Sequence, residues 1–541
     1  MKPFPRSCHQ MALTGILLAW AGAAWARELP LRHWTHGMWD DPAFDLSAAA
    51  GGTLAHAPDC GVTPSNPPPN HNPPEAAAGD GRFVYPGDER RIPYLFHPST
   101  GTQHGPLETT AGRSHLILNS DILPPCVLDP VRRVVSNPAR PAPGSYGGRE
   151  ADAPWRKPAA ERIEKHRKAD LIVRVMDARG APVRDAAIQV RMTRQAFPFA
   201  SCVSADLLVR GNGPDAERYR RMVDEGFSHV TVEYESCQIP WESDKTVAMD
   251  ALKWLRDHGK TVHGCHIIWP HPEDGLPKDI VAMKHDPAAM RQRILGHIDE
   301  KVSACKGMVS EWNAINELFT NRLLEETLGK PFILDIFKRA KRIDPTLRLD
   351  MNDYGDMANP SAEHIEGHLA WVRYAKEQGA MMDVVGLQCH FNTFLRPMDE
   401  SFAILDRFAA AGYPIHITEL DVNLRDEWLQ ADFMRDIMTL LYSHPALEKI
   451  TLWGFWEGRQ WMPQAALWRK DWSIKPVGKV WMDLVKTQWR TNVDLQSDGE
   501  GLARVRAFHG EYVMTATAGD KTASANASVG RDGATVTLRF Q

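Results

Sequence analysis

The sequence lacks any Cys-x-x-Cys pair, so the closely spaced thiols from which structural zinc sites are commonly built are missing. It has no surplus of basic residues. Lys and Arg number 63 against 68 Asp and Glu, a formal net charge of −5, which argues against nucleic acid or an anionic membrane surface as the partner. Beyond the N-terminus no apolar run approaches the length of a transmembrane helix. Cysteines are few and scattered. Of the eight, Cys8 precedes an apolar segment, and Cys60 and Cys126 are the two in the N-terminal extension, where an exported chain would bridge them. The other five, among them Cys202, Cys237, Cys265 and Cys389 in or beside strand-like runs, read as buried unreactive thiols rather than metal ligands.

What is present starts with a secretion signal. Lys2 and Arg6 precede the apolar "MALTGILLAWAGAA", and Ala24-Trp25-Ala26 offers a small-x-small cleavage site, so residues 1–26 are expected to be removed. The mature chain is then secreted or periplasmic, with no membrane attachment after cleavage. Residues 27–155 form a loop-rich extension of unknown role, because "VTPSNPPPNHNPPEAAAGDG" is too rich in proline for a helix or a central strand. Alternation at Leu171, Val173, Val175 and at Ile188, Val190, Met192 marks an accessory β segment, 156–196, with "DARGAP" as its turn. The tail, 491–541, alternates in the same way and is expected to pack with it as one small β-domain.

Between them, over 197–490, the rhythm changes. Eight short apolar runs, from "FPFASCV" through "FSHVTVE", "TVHGCHII", "MVSEWNAI", "LRLDMN", "DVVGLQ" and "PIHITE" to "ITLWGF", alternate with eight helical patterns. Such alternation calls for parallel strands and crossover helices, and eight units predict a closed (β/α)8 barrel, a TIM barrel. In that fold the strand C-terminal ends build the active site. Glu317 falls after the fourth strand and Glu419 at the end of the seventh. Glu233, Trp269, Asn352, Tyr354, Gln388, His390 and Trp453 fall at other strand ends. Two carboxylates converging on a mouth lined by some of the 18 Trp suit glycoside hydrolysis, which needs a proton donor for the leaving oxygen and a carboxylate facing the anomeric carbon.

Over roughly 195–490 the sequence resembles glycoside hydrolase family 10, best known for endo-β-1,4-xylanases. "WNAINE" is similar to the family's W-D-V-V-N-E, which implies Glu317 as acid/base and Asn316 as the residue holding the sugar 2-hydroxyl. "ITELD" implies Glu419 as nucleophile, supported by Asp421. "GLQCH" implies that Gln388 and His390 bind and orient that nucleophile. "NDY" matches at Asn352–Tyr354, and "WGFWEGRQW" places Trp453 and Trp461 along the cleaved sugar. The departures lie in the distal sugar site. There Tyr234 and Cys237 replace the family's Asn and Lys, while Glu233 remains; His263, Cys265 and Pro270 replace Arg and two His, while Trp269 remains; and Asn313 replaces Asp. Each lost charged contact would cost roughly 1–3 kcal/mol on an unchanged substrate, so the pattern implies a changed one. The resemblance implies a retaining endo-hydrolase of xylan or a related β-glycan, monomeric and needing no cofactor or metal, whose partner is a poly- or oligosaccharide. A weakly active or inactive carbohydrate-binding barrel, or a hydrolase of exopolysaccharide or glycoconjugate, stays open as the alternative.

Overall fold

The computed structural model describes residues 145–541 in full, preceded by the backbone of four short strands between residues 104 and 136. The signal segment, the proline-rich stretch 62–81 and the Cys60–Cys126 bridge lie outside the described residues. The chain divides into two compact units. The first contains β1 (His104–Thr110), β2 (Arg113–Leu118), β3 (Cys126–Asp129) and β4 (Arg133–Ser136), an antiparallel meander within the segment expected to be loop-rich.

The second unit opens with a helix, Arg156–Arg167, where the sequence reading placed the start of a β segment. The reason is local. "RKPAAERIEKHR" is dominated by strong helix formers, and Ala159 and Ile163, four residues apart, form its buried stripe. Arg156 also pairs with buried Asp436, and the Arg167 guanidinium donates to the carbonyls of Tyr442, His444 and Leu447. β5 (Lys168–Met176) and β6 (Ala187–Gln195) follow, alternating buried and outward residues. In the turn that leaves β5, Asp177 Oδ1 accepts the backbone N–H groups of Arg179 and Ala181.

The barrel strands are β7 (Phe199–Val203), β8 (His229–Val232), β9 (Thr261–Gly264), β10 (Glu311–Asn316), β11 (Arg348–Asp353), β12 (Val384–Leu387), the two-residue β13 (His390–Phe391), β14 (Ile415–Val422) and β15 (Leu447–Leu452). All pairings are parallel. The ring runs β12-β11-β10-β9-β8-β7-β15-β14, and β12 pairs with β14 to close it. β14 is buried at every position, as expected of a strand covered on both faces. The covering helices are amphipathic. Lys330–Ile343 has Pro331 in its first turn and buries Phe332, Ile333, Leu334, Ile336, Phe337 and Ala340, each worth about 1.5–3 kcal/mol for the larger side chains.

After the last barrel helix, Pro476–Asp483, come β16 (Asn492–Gln496), β17 (Leu502–Phe508), β18 (Gly510–Ala518), β19 (Lys521–Val529) and β20 (Ala534–Arg539). Strands from both flanks pair, as two sheets rather than one: β16-β6-β18-β19 and β17-β5-β20.

Candidate active site

Glu317 immediately follows β10 in the left-handed region, φ +55°, which is rare for a residue with a Cβ. Its own N–H donates to the Asn352 carbonyl at 2.8 Å, which fixes this turn against β11. The carboxylate accepts from Trp269 Nε1 (2.8 Å) and Asn321 Nδ2 (3.3 Å) on Oε2, and from Gln388 Nε2 (2.9 Å) on Oε1. Burial raises the Glu317 pKa. The Gln388 bond opposes the rise, the Glu419 charge adds to it, the Trp269 bond opposes it again, and the balance is upward.

Glu419, within β14, is 5% exposed. Its Oε1 accepts from Asn352 Nδ2 at 2.8 Å, and its Oε2 lies 3.1 Å from His390 Nε2. On the far side of that ring, His390 Nδ1 lies 3.1 Å from Asp421 Oδ2, close enough for ion pairing though poorly aligned for a hydrogen bond. Burial alone would depress the His390 pKa, but the two carboxylates outweigh it and push it up to about 10. At neutral pH the ring is therefore an imidazolium lying between the two carboxylates. Trp461 Nε1 donates to Asp421 Oδ2 at 2.8 Å, and the Trp461 ring stands edge-on to His390, centroids 4.9 Å apart. Trp453 is farther, at 6.2 Å.

A ladder of amides joins the two carboxylates. Gln388 Nε2 also lies 3.3 Å from Asn316 Oδ1, which accepts from Asn352 Nδ2 at 2.9 Å and from Asn313 Nδ2 at 3.2 Å. Asn352 in turn accepts from Thr418 Oγ1 at 2.7 Å, so every group of its amide has a partner. With the Asn316 oxygen saturated, its N–H2 is left toward His266, whose Nε2 is 3.5 Å away. Gly386 on β12 makes the ladder possible: a Cβ there would fall 2.6 Å from Asn352 Oδ1. Gly386→Ala should displace Asn352 from Glu419 and lower kcat by roughly 10- to 100-fold while the melting temperature stays within a few degrees of the parent; unchanged kcat would show that the ladder does not position Glu419.

One sequence expectation needs correction. Gln388 was expected to orient Glu419; its side chain bonds Glu317 and Asn316, and only its backbone carbonyl, accepting from Glu419 N–H at 3.2 Å, touches the other glutamate. β12 lies between β11 and β14, and the Gln388 side chain leans to the β11 side, where Asn316 and Glu317 stand beyond Asn352, rather than to β14. Tyr354 sits at the rim with its ring 4.7 Å from that of His364. Glu233, at the end of β8, lines a small recess together with Trp453, Arg459 and Gln460. Burial, opposed by Arg459 and reinforced by Glu235 and Glu419, pushes the Glu233 pKa up to about 7. Neither Glu317 nor Glu419 lines that recess.

Asn321, Thr418 and Arg459 were missed by the sequence reading. Thr418 had a signal, since it directly precedes Glu419 in a strand, but Asn321 reaches Glu317 only through the turn after β10. Arg459 holds the β8 loop: its Nε donates to Ser204 Oγ (3.0 Å) and its terminal nitrogen to Glu235 (3.3 Å). His263 does not face the sugar side. Its Nε2 is 3.1 Å from Asp350, and its Nδ1 is 2.7 Å from Lys449 Nζ, which also bonds Glu311. His263, Glu311 and His416 come close enough together to suggest a cation site, but the Lys449 ammonium already supplies the positive charge there.

The unequal environments predict a pH effect. The Trp269 bond stabilises the carboxylate form of Glu317. Trp269→Phe removes that bond, raises the Glu317 pKa and keeps the acid protonated to higher pH. The alkaline limb of kcat/KM should move up by roughly half to one pH unit; movement downward would contradict the assignment.

The profile of Glycosyl hydrolase family 10 matches residues 191–483. Among curated proteins, the Anti-sigma-I factor RsgI6 of Acetivibrio thermocellus is 26% identical over 374 residues, covering 67% of this chain and 47% of that protein. Endo-1,4-beta-xylanase 1 of Arabidopsis thaliana is 25% identical over 361 residues, 65% of this chain and 36% of that one. The chain thus spans less than half the length of either relative. Of solved structures, xylanase 10B from Thermotoga petrophila RKU-1, in complex with xylobiose, aligns at 23% identity with a TM-score of 0.49, covering 54% of this chain and 95% of that chain. The profile match takes in more than half of the sequence and contains both glutamates with the ladder between them: the chain belongs to glycosyl hydrolase family 10.

Proposed function

We propose that the chain is an endo-acting glycoside hydrolase that cleaves a β-linked polysaccharide, xylan or a related β-glycan, with retention of configuration. The supporting observation is the inequality of two carboxylates in one amide network. Glu317, its pKa raised, is suited to give a proton; Glu419, facing the His390 imidazolium, is suited to attack. Glu317 protonates the leaving oxygen as Glu419 bonds to the anomeric carbon. Glu317, now ionised, takes a proton from water, which displaces Glu419. In this reading the Asn316 amide holds a 2-hydroxyl, its oxygen being already engaged by Asn352, and Trp453 and Trp461 face the sugar ring. The xylanase names among its relatives favour xylan as the backbone.

The replaced residues favour a decorated chain on the glycone side. Tyr234 there is 52% exposed and offers a ring face, while Cys237 and Cys265 are buried and offer no hydrogen bonds to hydroxyls. We further propose export to the periplasm or beyond, where such polymers occur. Assays across unsubstituted and substituted xylans, mixed-linkage glucans and bacterial exopolysaccharides test the reading. Internal cleavage of one or more of these β-glycans is expected, and binding without cleavage of any would instead identify a carbohydrate-binding barrel.

A further inference from the structure

Cys237 and Cys265 are far apart in sequence, yet their sulfurs lie 3.3 Å apart and share a thiol hydrogen bond. Cys237 precedes the short helix Gln238–Asp244 in the loop after β8 and is 8% exposed; Cys265 follows β9 and is 3% exposed. Their side chains therefore aim at each other across two adjacent strand ends. The other described cysteines, Cys202, Cys305 and Cys389, are buried without such a neighbour among the described residues, and Cys389 meets only Met357 Sδ at 3.7 Å.

We propose that Cys237 and Cys265 are oxidised to a disulfide that ties the β8 loop, which carries Glu233 and Tyr234, to the end of β9. A disulfide requires sulfurs about 2.05 Å apart, so closure needs an approach of little more than about 1 Å, within reach of side-chain rotation in a loop that begins with a single turn of 3-10 helix. Chemically, each thiol gives up a proton, an S–S bond forms, and the two electrons reduce a low-molecular-weight disulfide such as oxidised glutathione to two thiols. The thiol–thiol bond and burial hold the Cys265 pKa well above its usual value, so thiolate is scarce in the folded protein, and oxidation belongs to folding or to transient opening of the loop.

A metal is the competing occupant, because His266 lies with the two thiols in a cluster of possible ligands. Lys301 argues against it. This fully buried ammonium is held by the carbonyls of Ser236 (2.5 Å) and His266 (2.8 Å) beside the same pair, where it would repel a cation.

The test uses the full chain folded with oxidised glutathione, blocked with N-ethylmaleimide under denaturing conditions and digested without reductant. A peptide joining positions 237 and 265, lighter by two hydrogens than the separate thiol peptides, is expected, and it should be absent from Cys237→Ser. Reduction should lower the melting temperature by roughly 5 °C more in the parent than in the Cys237→Ser/Cys265→Ser chain. Recovery of both cysteines as alkylated thiols overturns the proposal. So do linkage of either to a different cysteine and one equivalent of a soft metal co-purifying with the thiols. The peptide map on the parent chain stands whether or not the variants fold.

Discussion

Glu419→Gln should lower kcat on any substrate by about 10⁴-fold or more, in line with losses seen when a covalent nucleophile is removed. The substitution is nearly isosteric. Asn352 Nδ2 can still donate to the amide oxygen, so the ladder and the barrel should persist, and the melting temperature should stay within a few degrees. What is lost is a lone pair with the charge to attack the anomeric carbon and to offset the positive charge that builds on the sugar. His390, held at a pKa of about 10 by Glu419 and Asp421 together, would keep only Asp421, and its pKa should fall. A nuclear magnetic resonance titration of that ring reports the change independently of activity. Substantial residual turnover in a folded variant would reject Glu419 as nucleophile.

Glu317→Gln should split substrates by leaving group. For a polysaccharide, whose departing hydroxyl needs a proton, the loss should be roughly 10²–10⁴-fold. For an aryl glycoside with an acidic phenol the first step needs little help, so the phenol should leave at a near-parent rate. The second step lacks its base, and the glycosyl-enzyme should accumulate, visible as a burst of phenol followed by slow turnover. Trp269 and Asn321 can go on donating to the new amide oxygen, and the Gln388 amide can flip to accept from the new amide nitrogen, which limits the structural cost. Equal loss on both substrate types would remove Glu317 from the acid role.

The barrel was legible because each strand end is marked twice, by an apolar run before it and a polar residue after it. "IHITELDV" is one case: its buried strand and its glutamate sit together in the sequence and in the fold. Less legible was anything decided by neighbours distant in sequence. Gln388 was assigned to the wrong glutamate because no one-dimensional pattern says which way a side chain leans between two adjacent strands. The Arg156–Arg167 helix falls in a segment where the sequence predicts β structure, although its Ala159 and Ile163 carry the four-residue spacing of a helical stripe. His263 was placed on the sugar side. Instead it serves a buried charge cluster whose other members, Glu311, Asp350 and Lys449, come from three further strands. The meeting of Cys237 with Cys265 had no sequence signal at all, since it depends on β8 and β9 being neighbours with their ends level.

The most direct check is the anomeric configuration of the sugar released in the first moments of hydrolysis, followed by proton nuclear magnetic resonance before mutarotation. Attack by Glu419 and then by water turns the centre over twice, so the account requires the β-anomer to appear first; an initial α-anomer would mean that water attacks directly and Glu419 never bonds to the substrate.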